Sequence, residues 1–111
     1  MNDAWEFHKT AMALLSKADK QINKSTKKYL YLQAYELEKD AAQMLQKASS
    51  RFNQRRSLIF YTAVSMALFL EKGDEARMLI KSAEEQEIHP SLAEEWLSCK
   101  NKIQHMEVSN V

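Results

Sequence analysis

One glycine and one proline, Gly73 and Pro90, are the only such residues in 111. Usage of ~7% Gly and ~5% Pro would place several of each in an average chain. With so few residues that reverse or break a backbone, the elements between them must be long. The residues that fill those stretches are mostly Ala, Leu, Lys, Glu, Gln and Met, which are strong helix formers. Valine occurs only at Val64, Val108 and Val111. A β fold needs many turns and many β-branched residues, so the chain reads as all-α. Apolar residues make up 45% of it, enough for one core in a chain of this length. We expect one helical domain over residues 1–107 and a disordered tail at 108–111.

Periodicity divides the chain into about five antiparallel helices. The first is expected over 4–19, with Asp3 and Glu6 at capping-box spacing. Its stripe is Trp5, His8, Met12 and Leu15, widened by Ala4, Ala11, Leu14 and Ala18. Residues 20–28 break the period, and Ser25 or Thr26 is expected to cap the next helix. That helix, over 27–48, has one broad face with Tyr31, Ala34, Tyr35, Ala41, Ala42 and Leu45. A second stripe of Leu30, Leu37 and Met44 recurs every seven residues. A helix apolar on two sides packs between two neighbours. The third helix, over 53–72, is apolar nearly all round and reads as the centre of the fold. Gly73 is expected to close it in the left-handed conformation, with Asp74 capping the fourth helix over 75–86. Ser91 and Glu94 repeat the capping-box spacing before a fifth helix carrying Leu92, Trp96, Cys99, Ile103 and Met106. The expected architecture is stacked helical hairpins, either as a right-handed array or as a compact bundle.

Chemistry is sparse. Cys99 is the only cysteine, so no internal disulfide forms and a reducing, cytoplasmic setting is expected. His8, His89, His105 and Cys99 show no metal-ligand spacing, and one glycine cannot build a phosphate loop. Adjacent carboxylates such as Glu84 and Glu85 point in different directions on a helix. We therefore expect no enzyme, no cofactor and no metal. The longest apolar stretch, residues 58–70, is too short to span a membrane, and no membrane partner is expected.

Charge is uneven. Residues 1–72 hold 12 basic and 7 acidic side chains, and residues 73–111 hold 4 and 8. Lys17, Lys20, Lys24, Lys27 and Lys28 cluster near the first break, and Arg51, Arg55 and Arg56 near the start of the third helix. These clusters make a small helical subunit of a nucleic-acid complex the alternative reading. The leading reading is a module that binds another protein or peptide. Tyr and Arg dominate interface hot spots, so Tyr29, Tyr31, Tyr35, Phe52, Arg55 and Arg56 are the candidate contacts. Leu30, Leu37 and Met44, if left open, would serve homodimerisation.

Residues 57–90 resemble the tetratricopeptide-repeat-like (TPR-like) helical hairpin superfamily. Ala76, Ile80, Ala83 and Pro90 follow the order of that family's second helix and connector. An apolar first helix and a Gly-containing turn precede them. The turn is shorter than the family's, and its Trp-Leu-Gly-Tyr series is missing. The resemblance implies hairpins that present a groove to a peptide or protein surface.

Overall fold

The helix-forming stretches fold as five helices in a computed structural model, which describes residues 3–45, 53–85 and 88–109. They are α1 (Asp3–Asp19), α2 (Lys24–Leu45), α3 (Asn53–Phe69), α4 (Gly73–Glu84) and α5 (Ala93–Ser109). A 3-10 turn, Pro90–Leu92, leads into α5. The backbone of residues 108 and 109 thus belongs to α5 rather than to a tail. The side chains of Asp3 and Met106 and the break at Ser49–Ser50 lie outside what the structure describes.

Contacts fix the helix directions. His8 of α1 meets Glu38 of α2 at 2.7 Å, so two helices joined by residues 20–23 run antiparallel. Tyr31 of α2 stacks on Phe69, the last residue of α3, with ring centroids 4.5 Å apart. Arg55, near the start of α3, lies over the Trp5 ring at 4.4 Å. α3 is therefore antiparallel to α2 and parallel to α1. Ser57 Oγ accepts from His89 N–H at 2.9 Å, and Ser65 Oγ lies 3.8 Å from Cys99 Sγ. Those two pairs make α5 parallel to α3. α2 packs against both α1 and α3, while α3 also packs against α4 and α5. Both multiply apolar helices hold the places their patterns require.

Burial in α1 and α2 is set by small residues. Ala4, Ala11 and Ala18 recur every seven positions and are buried, as are Ala34, Ala41 and Ala42 of α2. Trp5, Met12 and Leu15 are only partly buried. The stripe expected to lead α1 flanks the seam, because two backbones approach closely only over side chains without bulk. α3 buries Ile59, Phe60, Val64 and Met66, each contributing about 1.5–3 kcal/mol. Ala76, Leu79, Ile80 and Ala83 of α4 and Trp96, Cys99 and Ile103 of α5 complete the core.

Three helix ends differ from expectation. Asn23 Oδ1 accepts from Thr26 N–H at 3.0 Å, so Asn23 caps α2 and the helix starts at Lys24. Ser25 and Thr26 lie inside its first turn. At the other corner Glu71, not Gly73, is left-handed, with φ 61°. Glu71 N–H donates to Leu68 O at 3.1 Å and Lys72 N–H to Ala67 O at 2.8 Å. This pair of bonds is a Schellman closure, and it ends α3 at Phe69. Gly73 and Asp74 then open α4, where Asp74 pairs with Arg77 and Lys72 is the N-cap without a side-chain bond. Ahead of α5, His89 Nδ1 rather than Ser91 caps the 3-10 turn Pro90–Leu92, accepting from Ser91 N–H at 3.2 Å.

Candidate interaction groove

α1, α2, α3 and α5 do not close against one another completely. They leave a hollow of about 490 Å³. Leu15 and Tyr31 form one side, Tyr61, Met66, Leu68 and Phe69 the α3 side, and Lys102 of α5 stands opposite. The hollow is mainly apolar and lies within the size range of small binding sites. Phe69 is 66% exposed, so the Tyr31–Phe69 stack offers an open aromatic surface at its edge. Tyr31 is half-buried; burial and then the negative charge of Asp19 hold its phenol above the ordinary range. It therefore stays neutral at physiological pH. A second hollow, about 440 Å³, runs along Leu97, Asn101 and His105 of α5 and shares Lys102 with the first.

The residues expected at a contact surface separate into three groups. Tyr31 lines the groove. Tyr29 is 60% exposed and accepts a hydrogen bond from Gln33 Nε2 at 3.0 Å, and Arg55 is exposed but lies on Trp5. Tyr35 and Arg56 are buried. That corrects the expectation for both, since burial in the fold withdraws them from the open surface. Tyr35 faces α4, where its hydroxyl donates to Glu75 Oε1 at 2.7 Å, and Lys39 Nζ joins the same oxygen at 3.2 Å. Phe52 and Arg51 lie outside the described residues. Leu30 and Leu37 are half-buried, with Leu37 packed on the core, and Met44 is 47% exposed. Those three do not form one open apolar face, because Leu30 and Leu37 are partly covered by the fold.

Phe69 and Lys102 were hidden from sequence reasoning. Phe69 sits at the end of a run that is apolar all round, and only its place in the last turn hints at exposure. Lys102 is one of many lysines, and nothing local ties it to residues 31 or 69.

Two further clusters hold titratable groups. His8 and Glu38 are both buried, and neither lines the two hollows described above. Burial raises the Glu38 carboxyl above its ordinary value, while His8 pulls it down less strongly. Among the described residues Glu38 Oε1 has no hydrogen-bond partner, and the neighbouring Thr62 hydroxyl donates to Leu58 O at 2.8 Å. The pair acts as a polar joint between α1 and α2. Cys99 is buried, and burial raises its thiol, which suits packing rather than nucleophilic chemistry. Among the described residues, no three His, Cys, Asp or Glu side chains converge as metal ligands, and no helix is long and apolar enough to cross a membrane. No family model, curated protein sequence or solved structure matches the chain.

Proposed function

We propose that the protein is a non-catalytic interaction module that holds a partner protein in the groove between α1, α2, α3 and α5. The observation that carries this reading is the half-open Tyr31–Phe69 stack beside a mainly apolar hollow. Leaving an aromatic ring uncovered forgoes burial worth about 1.5–3 kcal/mol, and a partner side chain recovers it. Large rigid aromatics in concave sites are where interface energy concentrates. The TPR-like reading belongs here too. Parallel α1, α3 and α5 alternating with α2 and α4 match an array of stacked hairpins, and buried Ala76, Ile80 and Ala83 suit its tight second helix.

The test is capture from native extract with immobilised wild-type protein and with Phe69→Asp, each with and without nuclease. A defined protein that survives nuclease and is lost with Phe69→Asp is the expected result. Partners held equally by both baits would sink the groove reading.

The nucleic-acid alternative draws on Lys17, Lys20, Lys24 and Lys28, which are exposed. Its second cluster is weaker support, since Arg56 is buried and Arg55 lies on Trp5. It requires capture that nuclease abolishes and that falls steeply with salt.

A further inference from the structure

We infer that the groove's partner is a protein segment with an aromatic or branched aliphatic anchor and carboxylates two or three residues to one side of it. This rests on the groove reading above and adds the partner's chemistry. Lys24, Lys27 and Lys28 stand seven, four and three residues before Tyr31 in α2. Those spacings put them on the same helix face as Tyr31. The lysines Lys9, Lys39, Lys72 and Lys100 each have a carboxylate within reach, at 3.0, 3.1, 3.6 and 2.8 Å. No ion pair among the described residues involves Lys24, Lys27 or Lys28. The first turn of α2 also holds no acidic residue, so these cations stand at the positive end of the helix dipole. The apolar hollow therefore continues along α2 into a run of unneutralised positive charge, and Lys102 adds one more cation on the opposite wall.

The geometry sets the spacing. At about 1.5 Å rise per residue, Lys27 and Lys24 lie roughly 6 and 10 Å along α2 from Tyr31. An extended peptide advances about 3.3 Å per residue. A carboxylate two positions from the anchor shares its face on a β-strand and meets Lys27, and one three positions away shares its face on a polyproline-II segment and meets Lys24. Asp19 ends α1 at the same end of the α1–α2 hairpin as these lysines, where Lys17, Lys20, Lys24, Lys27 and Lys28 outnumber it. A protein segment fits better than a nucleic acid because the walls carry aliphatic Leu15, Met66 and Leu68. The arginines suited to phosphate lie at the other end of the α1–α2 hairpin, with Arg56 buried.

The test selects random 12-residue peptides on phage against the full chain. Enriched peptides are then synthesised and their affinities measured by fluorescence anisotropy at low and high salt. Phe69→Asp, a Lys24→Glu/Lys27→Glu/Lys28→Glu triple variant and a labelled single-stranded oligonucleotide complete the set. Circular dichroism checks folding, and Phe69→Ser replaces Phe69→Asp if that variant unfolds. The expected peptides carry an apolar anchor with Asp or Glu two or three positions away. Phe69→Asp abolishes their binding, and the triple variant or high salt weakens it about tenfold. Anchored peptides without acids, insensitive to the triple change, would overturn the charge inference and leave the groove standing. No enrichment over the Phe69 variant would overturn both. Oligonucleotide binding that needs the lysines but not Phe69 would reassign them to nucleic acid.

Discussion

Two residues sit where their chemistry is under tension, and each makes a measurable prediction. Glu71 holds a left-handed backbone conformation, which costs a residue with a Cβ roughly 1–2 kcal/mol. Its two closure bonds, to Leu68 and Ala67 through Glu71 and Lys72, offset that cost. Glycine at this position removes the clash but loses more entropy on folding. Glu71→Gly is expected to stabilise the protein by about 0.5–1 kcal/mol, read as a higher urea midpoint. Glu38 is the second case. Burial raises its carboxyl above the ordinary value of 4.5. Between 4.5 and the raised value the folded protein binds more protons than the unfolded chain, so this group's contribution to stability falls as pH rises through that window. Glu75 is shifted the other way, chiefly by the Tyr35 hydrogen bond; its contribution is present above 4.5 and fades as pH drops below it. Comparing wild type with Glu38→Gln isolates the first effect. The stability difference should move in favour of the glutamine variant as pH rises above 4.5. A difference moving the other way would mean that the His8 partner keeps Glu38 ionised in the fold. Neither residue was legible in the sequence. Glu71 is hidden because Gly73, two positions on, is the obvious candidate for a left-handed turn. The burial of Glu38 depends on His8, thirty residues away.

Helix identity was legible and helix ends were not. The seven-residue recurrence of alanines and the all-round apolarity of α3 come from burial, which dominates the energy, so the pattern survives in the chain. Caps depend on single hydrogen bonds chosen among neighbours of similar quality. In residues 20–28, Asn23, Ser25 and Thr26 are all good caps, and the asparagine is the one used. Asn23→Ala is expected to cost about 1 kcal/mol of stability, while Ser25→Ala, on an exposed position of the first turn, changes it little. Equal losses from both would mean that the cap is shared. The α1–α2 seam makes a stronger claim. Ala11 and Ala41 have no exposed surface, so a larger side chain must push the helices apart. Ala11→Leu should destabilise by about 1–3 kcal/mol although it adds apolar area, a result that hydrophobicity alone would predict with the opposite sign. The same closeness explains why Trp5 and Leu15 are left partly open, the latter to form a groove wall.

At the scale of the molecule, the question is whether the two hairpins fold as one unit. The chain spans 42 × 41 × 20 Å, a slab about two helix diameters thick. A slab has less interior than a sphere, so its cohesion depends on contacts between the α1–α2 and α3–α4 hairpins. Those contacts differ in kind: the Tyr31–Phe69 stack at one end, Trp5 with Arg55 at the other, and buried Tyr35 bonded to Glu75 between α2 and α4. Because α3 packs on α2, α4 and α5, removing the α1–α2 hairpin would bare one side of a helix that buries Ile59, Phe60, Val64 and Met66. That surface is too costly to expose in water, so local opening of one hairpin should not be populated. The two tryptophans report on the two halves, Trp5 from α1 and Trp96 from α5. In Trp96→Phe and Trp5→Phe, each left with a single indole, the fluorescence transition in urea should coincide with the loss of helix signal by circular dichroism. If the Trp5 signal moves at lower urea than the helix signal, the α1–α2 hairpin is a separate, weaker unit. The groove, whose walls come from both hairpins, would then exist only while they are docked.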